Sequence, residues 1–446
     1  MAQRIMHIGF DDTDSVKGGC TTYIAALLVH KLGRLGAGFI DYPNLIRLNP
    51  NVPWKTRGNG ALCLRTQLDP DTANAVKETV IDTVEEHADL EAKGTEPGIV
   101  FFEAERIPAE LKAFAGNTIT GVVTLKEATK LAKKFGVEAV GFKNGRGIIG
   151  GLAAIGETLE GDHTYEIIAY RTPENCGLKR RVDETSIFLM EKLTGPYTFN
   201  NVDAEKRRVI ITPRGPDPIL FGIRGETPEA VKAAFAAVKP LEPVERWVIF
   251  RTNQGTDAHL SHVQKLDNAS PHHPLVAEGT VSTSPKMVRG SHVIFSVDDK
   301  TAEVDCAAYE PAGALREAAK LLIPGDLVEV CGSVRPCSRA GPITVNLEKI
   351  RLLKLASAIA YRNPRCPKCG KRLKSMGTGK GFRCEKCGFR AATAQKVRAE
   401  LNRGINPGLY AASARSQRHL TKPLRRYGLE KSGVSGVCLV AEWHFP

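Results

Sequence analysis

Between residues 4 and 105 the apolar positions switch between two periods. Arg4–Phe10 reads as a strand, its apolar run from Ile5 to Phe10 interrupted by His7. Thr21–Leu32 has helical spacing, and Ala37–Leu48 and Gly60–Thr66 are strand-like. Asp71–His87 predicts a helix, with Ala75, Val76, Val80, Ile81 and Val84 on one face. Gly98–Ala104 reads as a further strand. The order βαββαβ is that of a ferredoxin-like unit.

Leu125–Phe135 predicts a helix, and Val137–Phe142 and Tyr165–Tyr170 predict strands. Val209–Thr212 and Ile219–Ile223 read as strands on either side of a rigid proline-rich turn. Thr227–Val238 predicts a helix with Thr227 as cap and Pro228 in first position, followed by strand Trp247–Arg251. From Leu275 the style changes. Strands Val276–Thr283, His292–Val297 and Ala302–Tyr309, helix Ala312–Leu322, then strands Leu327–Val334 and Ile343–Leu353 follow the order of an OB-fold barrel, a frequent oligonucleotide binder. Ala394–Asn402 reads as one more helix. The expected architecture is multidomain α+β. A catalytic region over 1–195 begins with the ferredoxin-like unit, a second α+β region spans 196–262, and an OB-fold spans 275–355. A zinc ribbon over 361–392 and a basic tail over 393–446 complete the chain.

Composition sharpens this division. The 446 residues are 42% hydrophobic and 25% charged, as in ordinary globular protein. No apolar run reaches the length of a membrane span, and Met1–Met6 leads straight into an acidic turn rather than a signal peptide, so a cytosolic protein is expected. The net charge of +13 is localised. From Tyr361 onward eleven Arg and eight Lys face four acidic residues, giving +15 and leaving the first 360 residues at −2. A basic end on a near-neutral body points to a polyanion.

Four stretches carry candidate chemistry. After the first strand come Asp11, Asp12 and Asp14, then Lys17, Gly18, Gly19, Cys20, Thr21 and Thr22 before a helix. Three carboxylates so close repel one another unless a cation joins them, and hard oxygen ligands suit Mg²⁺, which travels with phosphates. The glycine pair lets backbone N–H groups approach an anion, and Thr21 and Thr22 serve either as helix caps or as phosphate contacts. The bland alternative is an acidic turn before a capped helix. The loop 49–60 holds Trp54, Lys55 and Arg57 between prolines and glycines, with the two cations suited to phosphate. Gly145, Arg146, Gly147 and Gly150 fit G-x-G-x-x-G, yet no clean βαβ unit with a following acid accompanies them. That leaves a phosphate- or substrate-contacting turn. Cys366-x-x-Cys369 and Cys384-x-x-Cys387 stand 14 residues apart, which brings four thiolates around a structural Zn²⁺. Lys371 and Arg372 beside them, then Arg415, Arg418, Lys422, Arg425 and Arg426 interleaved with Tyr410 and Tyr427, suit RNA backbone and base stacking.

Taken together, these stretches resemble the archaeal tRNA-Ile 2-agmatinylcytidine (agmatidine) synthetase family. Its carriers are Gly9–Thr22, Pro53–Gly60, Asn144–Gly156, Gly161–Arg171, Ile211–Gly225, Phe250–His259, the cysteine knuckles and Arg418–Leu424. The resemblance implies a kinase-like catalytic domain, a ferredoxin-like domain, an OB-fold and a zinc ribbon. It implies an ATP-dependent ligase joining agmatine to C2 of the wobble cytidine of the tRNA-Ile with a CAU anticodon, so that AUA is read. It places Mg²⁺–ATP on Asp11, Asp12 and Asp14 and self-phosphorylation on Thr21. Phosphates would meet Lys17, Gly18, Gly19, Thr22, Lys55, Arg57 and Arg146. Agmatine, a guanidinium and an amine, calls for carboxylates, with Asp162, Glu166, Asp217 and Asp257 as candidates. Two other classes compete. A non-enzymatic RNA-binding protein leaves the acidic turn idle, and a small-molecule kinase leaves residues 275–446 idle.

Overall fold

The computed structural model describes residues 3–336, 343–433 and 437–446. The first elements are β1 (Arg4–Asp11), α1 (Thr21–Arg34), β2 (Gly38–Phe39), β3 (Asn44–Arg47), β4 (Gly60–Leu68), α2 (Ala73–His87) and β5 (Gly98–Glu103). They follow the expected βαββαβ order, and β5-β1-β4-β3 lie side by side, all antiparallel. Alternation decides the faces. Met6, Ile8 and Phe10 of β1 pack under α1 and α2, while Ala61 and Cys63 of β4 and Val100 and Phe102 of β5 point to the other side. That second face is covered by α3 (Ala109–Thr120), α4 (Leu125–Lys134) and, after edge strand β6 (Glu138–Gly141), α5 (Gly147–Gly156). Thr124 and Glu127 close a reciprocal capping box at the start of α4.

A second βαββαβ unit follows, which the sequence pattern did not reveal. It comprises β7 (Thr164–Arg171), α6 (Glu184–Thr194), β8 (Thr198–Phe199), a small hairpin of β9 (Val202–Asp203) and β10 (Arg208–Val209), β11 (Ile219–Gly225), α7 (Pro228–Ala237) and β12 (Val244–Thr252). Its strands lie in the order β12-β7-β11-β8, the same arrangement as in the first unit. The expected division at 195/196 therefore cuts between α6 and β8, inside one unit. Parallel pairing of β12 with β3, Arg251 to Asn44 and Thr252 to Leu45, joins the two units into one eleven-stranded sheet.

The next strands are β13 (Pro274–Val281), β14 (Lys286–Val288), β15 (His292–Asp298) and β16 (Glu303–Ala308), then α8 (Ala314–Lys320), β17 (Leu327–Arg335) and β18 (Thr344–Lys354). The order β13-β17-β18-β16-β15, closed by β13–β15 pairing, makes a five-stranded barrel with its own apolar core. The zinc-ribbon region has β19 (Ile359–Arg362), β20 (Lys374–Ser375), β21 (Phe382–Arg383) and β22 (Arg390–Ala391). The helix expected over 394–402 is instead strand β23 (Val397–Glu400), paired antiparallel with β19. Cross-strand hydrogen bonding outweighs the helix-forming side chains there.

The final stretch is a tail only in sequence. β24 (Gly408–Ala411) adds to β18 of the barrel, and β25 (His444–Phe445) pairs with β12 of the large sheet. Arg426 is fully buried. Its guanidinium meets Glu226 at 2.6 Å and Asp162 at 2.9 Å. Lys422 pairs with Asp162 at 3.4 Å and Glu430 at 3.0 Å, and Arg425 with Glu191 at 3.1 Å. Arg418 bonds Ser333, Asn51 and the Pro50 carbonyl. The expectation that Lys422 and Arg426 grip RNA is thus corrected, because their charge is spent inside the protein.

Candidate active site and metal centre

β1 delivers the acidic turn into a cavity of about 540 Å³. Its walls include Asp11, Asp12 and Asp14, Thr21 and Thr22, the loop from Val52 to Gly60, and Arg146 with Gly150 from α5. Glu166, Asp217 and Arg224 come from the second unit, and Arg415 and His419 from the returning chain. The cavity therefore gathers residues singled out from sequence in three separate parts of the chain.

The turn is held under opposing charges. Asp12 sits at φ 63°, in the left-handed region that aspartate tolerates better than most L-residues. Its Oδ2 accepts from Arg146 Nη2 at 2.6 Å and from the Glu96 N–H at 3.3 Å. Asp14 Oδ2 accepts from Arg57 Nη2 at 2.6 Å and Nε at 2.9 Å, and Arg57 also reaches the Gly19 carbonyl at 2.6 Å. Burial, then the neighbouring Asp12, pushes Asp11 up to about 8. Burial also raises Asp12, to about 6, against the opposing pull of Arg146. Two adjacent carboxyls raised by burial, Asp11 and Asp12, would ionise together most readily with a cation beside them. The donor set, carboxylate oxygens alone, fits a hard divalent ion.

Close packing against β1 by itself calls for glycine in α5, where Gly150 also lines the cavity. A Cβ on Gly150 would lie 1.9 Å from Asp11 Oδ2, and one on Gly9 would lie 2.1 Å from the Gly151 carbonyl oxygen. The helix is pressed backbone-to-backbone on β1, and only glycine leaves the room. The Gly147 N–H is already bonded to the Glu96 carbonyl.

Neither Thr21 nor Thr22 caps α1. The cap position is Cys20, whose Sγ meets Thr22 Oγ1 at 3.1 Å rather than capping the backbone, so among the described residues the Thr21 and Thr22 N–H groups are left open toward an anion. Thr21 Oγ1 accepts from Thr13 Oγ1 at 3.0 Å. Lys17 is exposed and does not line the cavity, and Gly18 and Gly19 shape the turn, with Gly19 at φ 72°. Lys55 Nζ donates to the Arg57 carbonyl at 3.0 Å.

Of the four carboxylates expected for agmatine, two line the cavity. Asp217 meets Arg57 and Arg180, each at 3.1 Å. Glu166 accepts from Arg224 at 3.1 Å and from Gln254. Asp162 and Asp257 lie elsewhere. Asp162 anchors Arg426 and Lys422, and Asp257 anchors Lys349, Tyr427 and the Lys422 N–H. Arg47, Arg224, His419 and Gln254 went unnoticed in the sequence. His419 stands in the Arg418–Leu424 motif, but nothing local ties it to Arg224, 195 positions away.

The four knuckle cysteines converge, with all Sγ atoms within 4.8 Å of one another. The Cys366–Cys387 and Cys369–Cys384 separations of 3.4 and 3.5 Å approach the ~3.8 Å edge of a tetrahedron of Zn–S bonds. Gly370 and Gly388, at φ 72° and 71°, turn each knuckle back with an N–H bond to the carbonyl of Cys366 or Cys384. Four thiolates fit Zn²⁺ and leave no open position, so the centre is structural.

Three family models match: the TiaS TCKD domain over residues 7–144, the TiaS FLD domain over 145–259 and the TiaS C-terminal zinc ribbon domain over 363–405. The tRNA-Ile 2-agmatinylcytidine synthetase TiaS of Methanosarcina mazei is 44% identical, covering 94% of this chain and 97% of the relative. Its counterpart in Pyrococcus horikoshii is 43% identical over the same shares. Crystal structures agree. Apo TiaS, described as a tRNA-Ile agmatidine synthetase, superposes with a TM-score of 0.85 at 40% identity, covering 98% of this chain and all of that one. A complex of TiaS with tRNA-Ile, AMPCPP and agmatine superposes with a TM-score of 0.82 at 38% identity, covering 98% and 99%. The class is that of RNA-modifying enzymes that form a carbon–nitrogen bond. The chain belongs to the tRNA-Ile 2-agmatinylcytidine synthetase (TiaS) family.

Proposed function

We propose that this protein joins agmatine to C2 of the wobble cytidine in tRNA-Ile with a CAU anticodon, consuming ATP. One observation carries the reading. A single cavity collects the acidic turn, an open helix N-terminus, flanking cations and an acidic partner residue, in a chain that matches TiaS relatives over 94% of its length.

The chemistry needs two steps. The C2 oxygen of cytosine is a poor leaving group, so its attack on the γ-phosphorus of ATP first forms an oxygen–phosphorus bond while the β,γ-bridging P–O bond breaks and ADP departs. The primary amine of agmatine then adds at C2, the C–O bond breaks, inorganic phosphate departs and the amine loses its proton. Phosphoryl transfer is mainly positioning and charge neutralisation. Asp11, Asp12 and Asp14 would hold Mg²⁺, which supplies neutralisation of phosphate charge when bound. The start of α1 would orient a phosphate, and the Thr21 hydroxyl in its first turn would lose its proton and accept a phosphoryl group from the nucleotide. Arg57 and Arg146 frame the turn and pair with Asp14 and Asp12, and a bound phosphate would draw on the same guanidiniums. Asp217 is the carboxylate for the guanidinium of agmatine.

In this reading the first region is kinase-like and residues 275–355 are an OB-fold. The exposed Lys371 and Arg372 of the ribbon, with Arg415 at the cavity wall, meet tRNA backbone. The wobble base leaves its stack to enter the cavity, where Trp54, half-exposed in the loop between β3 and β4, offers a stacking face. Among the described residues no helix is long and apolar enough to cross a membrane, in keeping with a cytoplasmic site of action. Asp11→Ala and Asp12→Ala should abolish tRNA-dependent ATP consumption. Wild-type turnover in both variants would refute the assignment.

A further inference from the structure

We propose that Arg47, Lys55, Arg224 and His419 form a phosphate-binding site within the same cavity, distinct from the acidic turn. The proposal rests on the reading that this cavity takes ATP and tRNA, and adds a second place where one of their phosphate groups is held.

The four residues line one cavity, and three of them are linked by a polar chain. Arg47 Nε donates to Gln254 Oε1 at 3.3 Å, and Gln254 donates to Glu166 Oε2. Glu166 Oε1 accepts from Arg224 Nε at 3.1 Å, and Arg224 Nη2 meets His419 Nδ1 at 2.9 Å. A guanidinium has no acceptor atom, so Arg224 must be the donor and His419 Nδ1 the acceptor. The imidazole proton then resides on Nε2. Burial, followed by Arg47, Arg224 and Lys55, holds His419 well below the ordinary histidine range and therefore neutral. The ring thus presents a fixed Nε2–H donor with no partner among the described residues. The terminal nitrogens of Arg47 are likewise without a hydrogen-bond partner among the described residues.

These free donors converge. Arg47 Nη1 and His419 Nε2 lie 2.4 and 2.9 Å from the position that a Cβ on Gly58 would occupy. Gly58 is therefore the floor that lets both donors face the cavity. Three cations against the single carboxylate bonded into the chain, Glu166, leave net positive charge, which a phosphate oxyanion would neutralise with charge-assisted hydrogen bonds. The cations near the acidic turn do not fill this role, because Arg57 and Arg146 are already paired with Asp14 and Asp12. Glu166 acts here as a positioning residue, fixing Arg224.

Two sources offer the phosphate: the nucleotide and the RNA backbone beside the wobble base. Dissociation constants of the full-length zinc-loaded protein would be measured for Mg²⁺–ATP, for CAU-anticodon tRNA-Ile and for tripolyphosphate. Variants are Arg224→Gln, His419→Leu, His419→Gln and Gly58→Ala, each checked by thermal melting. Loss of one charge-assisted bond weakens binding by about tenfold, so Arg224→Gln and His419→Leu should show that loss. His419→Gln, which restores an N–H donor, should recover most of it. Gly58→Ala, which pushes a methyl between the donors without removing either, should weaken binding in the same direction and guards against misfolding of the others. Losses confined to ATP and tripolyphosphate assign the nucleotide, and losses confined to tRNA assign the RNA backbone. Dependence seen with tripolyphosphate, in a protein that binds neither ATP nor tRNA, keeps the site and removes the functional reading. Unchanged constants for all three ligands across folded variants overturn the site.

Discussion

Gly150→Ala separates a packing role for the α5 glycines from a phosphate-cradling role. The added methyl would lie 1.9 Å from Asp11 Oδ2 and 2.6 Å from its Cγ. Ordinary contact begins at 3.4 Å, so the carboxyl must retreat by roughly 1.5 Å, or the helix must lift from β1. The nearest atoms belong to a side chain rather than to backbone, so the carboxyl moves first. Overpacking of this kind costs about 1–3 kcal/mol, and a ~1 Å misplacement at a reacting centre costs about a hundredfold in rate. The expected variant is folded, melts a few degrees lower and transfers agmatine about a hundred times more slowly in single turnover. Gly9→Ala is the contrast. Its methyl would meet the Gly151 carbonyl oxygen at 2.1 Å and carbon at 2.7 Å, both backbone atoms. That variant should lose more stability than Gly150→Ala. Wild-type melting and wild-type transfer by Gly150→Ala would refute the seating of α5 against Asp11.

Arg171 and Glu242 form a buried pair at 2.5 and 3.0 Å, each almost fully enclosed. Arg171→Met alone should cost about 3–5 kcal/mol in urea unfolding, and adding Glu242→Leu should return much of it; additive losses would count against that pairing. Burial alone would raise Glu348, but His259, Arg418 and Thr421 outweigh it and hold the carboxyl down to about 2 from 4.5. A depressed folded value means stability present above 4.5 and lost as pH falls toward 2. The melting temperature of wild type should therefore drop more steeply across that window than that of Glu348→Gln, and parallel profiles would contradict the network. Chelation of zinc, or Cys384→Ser, should expose residues 363–391 to proteolysis while the two-unit sheet melts as before; an intact ribbon without metal would rule out a structural centre.

The first βαββαβ unit is legible because its strands and helices are long enough for a period to show. The second is hidden by β8, which pairs through only Thr198 and Phe199, and by a hairpin inserted before β11. Two-residue strands carry no alternation to read. The acidic turn, Thr21, Lys55, Arg57 and Arg146 are legible as chemistry, and the structure brings them together. Arg47 and His419 are not, since their meaning comes from contacts between distant parts of the chain. Part of the basic end, Lys422 and Arg426, misled for a similar reason. A string of residues displays charge but not its partner, and Arg426 finds Glu226 two hundred positions upstream. Polar residues around 394–402 have helical propensity, but their strand partner β19 lies far earlier in the chain, at Ile359–Arg362.

The central claim is tested most directly by incubating the purified protein with ATP, Mg²⁺, labelled agmatine and a CAU-anticodon tRNA-Ile transcript, then mapping the label by nuclease digestion and mass spectrometry. Label is expected on the wobble cytidine, dependent on ATP and absent with Asp12→Ala. Label at another nucleotide, or ATP consumption and tRNA binding with no label in the RNA, would contradict it.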